Sequence, residues 1–556
     1  MKFLNIFLFV LLAQLSHAQL LDGNDGNFNR GDTLRGYLSP ERTCFDVHYY
    51  NLYLDLDFEE RSIIGYNDIY YGVVNDFETI QLDLFDNMLI DSVVFKGIHL
   101  NYERSFHAFF VEFPEVQKKG IESMLRVYYH GKPIIADNPP WDGGFTWQKD
   151  KEGNPWLGVS CEGIGASLWW PNKDHLSDEP DSMRVSCKLP NEEKYMFVGN
   201  GVMEAIELDP MDQKKIVSWK VSYPINNYNV TLNIGNYVNF QDTYTAKDGE
   251  KLLLDYWVMP YNLSKAKEQF EQVSPMLSCF EEYFGKFPFW RDNYKLVETP
   301  YLGMEHQTAI AYGNNYKEGY NGFDFSRIGL KFDYIIIHET GHEYWGNLIS
   351  AQDIADMWIH EGFCTYSEAL YVECMYDYQI GQDYVNAKKP SIGNKQPMAG
   401  VYDVNVEGDG DMYNKGMLFL NTLRHVINDD ELWFEILMEM NTSEFAYKTI
   451  TANDIMFFFN KKTGRDLTPL FLQYVFYKDI PVLYYKLERQ KGKKYSFKYK
   501  WQTDVGEFIM PIEVIIGGKN IRLEGTQDLQ EYILVKKKKE KLSFNKSQFY
   551  IKTKKL

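Results

Sequence analysis

The sequence predicts a multidomain α+β protein, and three observations carry that expectation. The chain has 556 residues, room for about two to four domains. Apolar and polar residues alternate with period two from Asp46 to about Asn239 and again from 483 onward, as in half-buried strands. Between Leu263 and about Lys478 the spacing turns helical. Aromatic residues, at 16% of the chain, supply ample bulk for large cores.

The elements follow in order. Residues 1–18 read as a secretory signal: Lys2 is the positive end, Phe3 to Leu15 the apolar core, and Ser16-His17-Ala18 a small-x-small cleavage site leaving Gln19. A buried N-terminal helix is the structural alternative. The run is too short for a membrane span, no second one is long enough, and no cysteine follows for a lipid anchor. The expected route is export, to a periplasmic or extracellular destination. Residues 19–35, rich in Gly, Asp and Asn, are expected to be disordered. An N-terminal β domain is expected over 36–242, with strands such as His48 to Leu54, Ile69 to Val73 and Leu125 to Tyr129. A second, helix-rich domain is expected over 243–482. It should start with one long helix, Leu263 to Phe284, opened by Asn262, and continue through Tyr413 to Ile427, Ala452 to Lys462 and Pro469 to Phe476. Strands return over 483–556: Tyr484 to Leu487, Tyr495 to Tyr499, Ile512 to Ile516, Tyr532 to Val535 and Gln548 to Ile551.

Charge and cysteines narrow the function. A net charge of −20 argues against nucleic acid as a partner, because phosphates need a basic surface, and an acidic cleft would favour cationic N-termini. The last segment departs from this balance, with 18 Lys and Arg against 8 Asp and Glu, so its run Lys536–Lys539 is either a solvated edge that blocks aggregation or a contact for an anionic surface. Six cysteines show no C-x-x-C, which leaves a structural zinc site unindicated. Disulfides are open to the compartment but unpaired by the sequence; Cys364 and Cys374 read as small core residues on a helix beginning near Glu361. Asn229, Asn262, Asn441 and Asn545 carry the N-x-S/T pattern.

The chemistry lies in His338-Glu339-Thr340-Gly341-His342, with eighteen residues separating His342 from Glu361. Histidines at i and i+4 share a helical face, about 5–6 Å apart at Cβ, so both can point at one ion. Phe332, Ile335, Ile336, Trp345, Leu348 and Ile349 recur at helical spacing around them. Catalytic zinc wants three protein ligands and an open position. His338, His342 and Glu361 from a second helix make that set, and Glu339 leans toward the open, water-bearing position.

The motif continues as Tyr344-Trp345-Gly346-Asn347 and Trp358-x-x-Glu361-Gly362-Phe363, and with these the chain resembles the gluzincin aminopeptidases, which include aminopeptidase N and leukotriene hydrolase. The resemblance runs over about residues 40–550 and is strongest from 295 to 420. Gly303-Met304-Glu305-His306 matches the family's exopeptidase motif G-x-M-E-N, with Leu302 in place of the first Gly and His306 in place of Asn. The resemblance implies that Glu305 binds the substrate's α-ammonium, with Gly303 and Met304 on the strand beside the substrate backbone. A surface acid in a loop is the plain alternative for Glu305. Glu162, in Cys161-Glu162-Gly163, matches the β-domain loop that gives the ammonium a second contact; alone it reads as a structural acid. Tyr413, in Met412-Tyr413-Asn414-Lys415-Gly416, matches the catalytic tyrosine that donates to the oxyanion, where an isolated Tyr would read as core or surface. Glu368, seven residues after Glu361, matches the acid that orients a metal-bound histidine and otherwise reads as a solvated helix acid. His360 points about 100° away from Glu361 and reads as a packing or hydrogen-bonding residue.

The resemblance thus implies an N-terminal β-saddle, a thermolysin-like mixed α/β catalytic domain and a small C-terminal β-sandwich, without the large helical C-terminal domain that many members add. It implies one zinc ion per chain, Glu339 as general base, and peptides with a free N-terminus as substrates. A thermolysin-like endopeptidase would need no amine anchor; a leukotriene-hydrolase-like bifunctional enzyme would use the same zinc; a non-catalytic scaffold would have lost ligands that are all present here. The preferred N-terminal residue and the oligomeric state stay open at this level.

Overall fold

The computed structural model describes residues 28–324 and 326–556. The expected signal at 1–18 and most of the stretch expected to be disordered lie outside the described residues. The end of that stretch is ordered, against expectation: Arg30–Gly36 is a helix. Asn29 and Asp32 supply both halves of a capping box, and Gly36 lies so close to the 404 backbone that a Cβ would meet the Val404 carbonyl carbon at 2.3 Å.

The N-terminal part is built on a ten-stranded sheet and a smaller sheet of four strands. The long strands Phe45–Asp57 and Ser62–Val73 pair antiparallel at its centre, with alternating side chains buried. Leu52, Leu54, Ile63 and Ile69 are among those fully enclosed. The four-stranded sheet carries the hairpin Gly144–Lys149 and Pro155–Ser160, whose second strand ends one residue before Cys161-Glu162-Gly163. This hairpin is seated on the next domain: Tyr301 donates to the carbonyl of Val159 at 2.8 Å, and a Cβ on Gly158 would meet the Tyr301 ring at 2.7 Å.

The catalytic part begins with a five-stranded mixed sheet, in the order Val238–Thr245, Lys251–Val258, Tyr294–Glu298, Ile310–Tyr312, Gly303–Met304. Its first strand runs across the expected boundary at 242/243 and belongs wholly to this sheet, because it pairs with Lys251–Val258 along its full length. The expected single helix over Leu263 to Phe284 is two helices, Leu263–Gln269 and Val273–Phe284, joined by a 3-10 turn. Pro275 is the cause: it has no N–H to give the carbonyl of Glu271, so the first turn tightens. Asn262 does not cap the first helix; its amide is spent on Glu298 at 2.6 Å. Three further helices make the site, Tyr334–His342, Trp358–Met375 and Asp411–Ile427. The middle one is enclosed on all sides from Trp358 to Val372, as expected of a helix at the centre of a large domain.

The last part is two small sheets of four and three strands, and they face each other through Phe544, which packs on Tyr485 and Phe497. Among the described residues no large helical domain follows them. Gln548 to Ile551 is not a strand: Phe549 plugs the core shared with the catalytic part, and the strand is Lys552–Lys555. Lys519–Gly525 is a further strand. Within the lysine run, Lys536 is buried, its ammonium held by the carbonyls of Lys537 and Glu540. Cys374 is not a free core residue; it forms a disulfide with Cys279 that ties the end of the middle site helix to Val273–Phe284. Asn229, Asn262 and Asn441 are buried, which removes them as glycan acceptors. Among the described residues no helix is long and apolar enough to cross a membrane.

Candidate active site

The helix Tyr334–His342 is anchored at its start by one carboxylate. Asp333 caps it through Ile335 N and Ile336 N and also accepts from Tyr312, Asn314 and Gln269 at 2.7–2.8 Å. Burial pushes this carboxyl up to about 6 even against those hydrogen bonds. The hub ties the helix to the sheet, so His338 and His342 are fixed relative to the Gly303–Met304 strand.

Each histidine is oriented by its far nitrogen. His338 Nδ1 meets Glu368 Oε1 at 2.7 Å, and Glu368 in turn accepts from Tyr384 at 2.5 Å. His342 Nδ1 lies 3.0 Å from the carbonyl of Trp345. Both contacts place the proton on Nδ1 and leave the Nε2 lone pairs free. Those two Nε2 atoms face Glu361 Oε2 at 3.6 and 3.5 Å. Tetrahedral zinc with ligands at about 2.0–2.1 Å requires donor atoms about 3.3–3.5 Å apart. Glu361 Oε2 is buried and accepts no hydrogen bond, a costly state for a carboxylate oxygen unless a cation meets it. The donor set therefore fits a zinc ion. Burial pushes the Glu361 carboxyl up, but the two imidazoles outweigh it and hold the group below its ordinary value. Cys364 is not part of this set: its Sγ donates to the carbonyl of His338 at 2.8 Å, on the Nδ1 side.

The acids cluster at one end. Donor oxygens of Glu162, Glu305 and Glu361 lie within 4.8 Å of one another, and so do ligand atoms of Glu305, Glu339 and His342. Glu305 follows the edge strand Gly303–Met304 and receives the Tyr228 hydroxyl at 3.0 Å. Asn347 holds the same residue's carbonyl at 2.9 Å. Burial raises Glu305 and Glu162 alike, with Glu361 adding to both. A Cβ on Gly303 would meet Glu339 Oε1 at 2.6 Å, so a larger residue there displaces the Glu339 carboxylate. Burial pushes the Glu339 carboxyl up to about 7; the two histidines oppose this and Glu305 and Glu361 reinforce it. Tyr413 stands across the cleft, its ring 6.2 Å from that of His338. These groups and Met304 line one cavity of about 140 Å³.

The structure thus brings His338, Glu339, His342, Glu361, Glu305, Glu162, Gly303, Met304 and Tyr413 to one cavity and places Glu368 behind it. His360 faces away from Glu361: its Nε2 accepts from Ala351 N at 2.7 Å and its Nδ1 lies 3.3 Å from the Tyr228 hydroxyl. His306 is buried with neither ring nitrogen hydrogen-bonded; burial holds it neutral, pushed down to about 3. Sequence reasoning missed Tyr228 and Tyr334. Tyr334 could have been found, because it precedes His338 by one helical turn and its hydroxyl lies 3.2 Å from Nδ1. Nothing local marks Tyr228, which meets Glu305 only through the fold.

A buried two-histidine, one-carboxylate centre with a neighbouring carboxylate, set between a β-rich domain and a mixed α/β domain, is an arrangement that can hold a catalytic zinc ion and its water. Residues 268–474 match the Peptidase family M1 domain. It is 20% identical over 495 residues to a probable aminopeptidase 2 of Sulfurisphaera tokodaii, an alignment covering 85% of this chain and 59% of that protein. Aminopeptidase B of Rattus norvegicus is 25% identical over 277 residues, 46% of this chain and 40% of the relative. The chain thus spans about 59% of the length of the first of these relatives. An M1 zinc metallopeptidase of Deinococcus radiodurans bound to a Tyr-Ser-Ala substrate superposes with a TM-score of 0.65 at 18% identity, covering 81% of this chain and 98% of that one. Aminopeptidase A of Legionella pneumophila in complex with aspartic acid gives 0.77 at 16% identity, covering 92% and 60%. Both share the fold.

Proposed function

We propose that this chain is a zinc-dependent aminopeptidase that hydrolyses the N-terminal bond of peptides, with one zinc ion held by His338, His342 and Glu361. The observation that carries the reading is the acid end of the cavity, where Glu162 and Glu305 lie within 4.8 Å of the ligand Glu361. Two carboxylates beyond those needed for metal and base are costly unless a cation meets them. A substrate α-ammonium is such a cation, and its capture presents the first peptide bond to the centre.

Bound zinc would supply a Lewis acid that polarises a carbonyl and lowers the pKa of water toward ~7. Glu339, whose carboxylate lines the cavity beside His338 and His342, accepts the proton of the attacking water. It then returns that proton to the leaving amine. Tyr413 keeps its proton, because burial and then the nearby carboxylates Glu361, Glu162 and Glu305 raise its phenol well above the ordinary value, so it donates a hydrogen bond to the oxyanion. Glu368 fixes the His338 ring through Nδ1, and Tyr228 fixes Glu305. An endopeptidase would leave Glu305 and Glu162 without a task. We also propose export; the Cys279–Cys374 disulfide supports an oxidising destination.

The test compares free and N-acetylated peptides with zinc-replete wild type and Glu305→Ala. The wild type should cleave only the free amines, and the variant should show KM raised at least tenfold, the loss of a charge-assisted contact. Equal cleavage of acetylated peptides would overturn the exopeptidase reading.

A further inference from the structure

Two cavities flank the catalytic one, and their shared walls sort them. One, of about 680 Å³, shares Tyr320, Tyr334 and Tyr413 with it but neither amine-binding acid. The other, of about 580 Å³, shares Pro140, Trp141, Glu162 and Tyr413. The first side chain of a peptide leaves the same carbon as the α-ammonium. With the ammonium on Glu162 and Glu305, that side chain enters the cavity that Glu162 also lines, and the leaving part of the peptide goes the other way.

Two features of this cavity's lining select a side chain. Trp141 offers an indole that is 62% exposed, the strongest ring for holding a cation over its face. Glu407, from the loop before the Tyr413 helix, lines the cavity and is exposed to solvent there. Among the described residues it accepts no hydrogen bond and forms no ion pair, in contrast to the third acid there, Asp142, whose carboxylate is taken by the amides of Asp137 and Asn138 at 2.6 and 2.7 Å. Among the described residues no Lys, Arg or His lines the cavity. Glu407 belongs to the catalytic part and reaches toward the Glu162 loop, within 3.8 Å of where a Cβ on Gly163 would stand, so the cavity closes between the two domains.

We propose that Glu407, with Trp141, selects substrates whose first residue carries a cationic side chain, an N-terminal arginine or lysine. The inference rests on the aminopeptidase reading above and adds the substrate class. A guanidinium or ammonium in this cavity finds both an indole face and a carboxylate on its walls, where an aliphatic side chain uses only the apolar wall and an acidic one is repelled by Glu407 and Glu162.

The experiment measures kcat/KM for Arg-, Lys-, Leu- and Glu-4-nitroanilides with zinc-replete wild type, Glu407→Gln and Glu407→Lys. Wild type should favour Arg over Leu by tenfold or more and show its lowest rate on Glu. Glu407→Gln should lower the Arg-to-Leu ratio at least tenfold, and Glu407→Lys should lower it further and raise the Glu-to-Arg ratio. A wild-type ratio at or below one, or a ratio unchanged in both variants, overturns the assignment of Glu407 while leaving the peptidase intact. Failure of the wild type to cleave any of the four overturns the aminopeptidase reading and this proposal with it.

Discussion

The two helices that carry Glu361 and Tyr413 cross at a pair of glycines, and that crossing sets the width of the cleft. A Cβ on Gly416 would lie 2.7 Å from the Cα of Gly362; one on Gly362 would lie 3.3 Å from the Cα of Gly416. Carbon atoms rest about 3.5–4.0 Å apart, so Gly416→Ala forces the backbones apart by about 1 Å. No flexible side chain is there to yield, because the opposing atom is backbone. Tyr413 lies on the same helix, one turn from the crossing, and moves with it relative to Glu361. Displacing a catalytic group by about 1 Å costs on the order of 10²-fold in rate, and forcing a methyl into a packed crossing costs about 1–3 kcal/mol of stability. Gly416→Ala should therefore lower kcat by roughly 10²-fold, with a smaller change in KM, because the amine anchors sit on other elements. Steady-state kinetics on an aminoacyl nitroanilide and the Tm by differential scanning fluorimetry check both effects. Gly410→Ala is the control, since a Cβ there meets nothing within 4 Å. A Gly416→Ala protein with kcat within twofold of wild type would refute the claim that this crossing positions Tyr413.

Glu339→Gln should keep its zinc, measured by inductively coupled plasma mass spectrometry, yet lose about 10²–10⁴-fold in kcat, the range of general-base catalysis; full activity with metal bound would remove Glu339 from that role. Glu368→Ala should weaken zinc binding about 10–100-fold in a chelator competition, the usual cost of losing the partner that orients a metal-bound imidazole. An unchanged affinity would show that the contact at 2.7 Å does not orient His338.

Local rules carried the sequence reading a long way where chemistry and spacing coincide. Histidines at i and i+4 must share a face of any helix. Period-two alternation exposed the β-rich first part, since a sheet with one face buried writes that face into every second residue. The same rules failed where a short pattern was met by a long-range demand. Gln548 to Ile551 became a plug for another domain's core, and Cys374 found Cys279 at a separation of 95 residues.

By itself, the sequence determined which atoms could hold a metal and which acid stood beside them, because both follow from residue type and helical period. Only the tertiary structure decided that Glu361 Oε2 stands about equally far from both imidazoles, that Tyr228 braces Glu305 across 77 positions, and that Glu407 opens onto the cavity beside Glu162. Those relations join separate domains and helices, and such packing is a property of the whole chain's buried surface that no local pattern encodes.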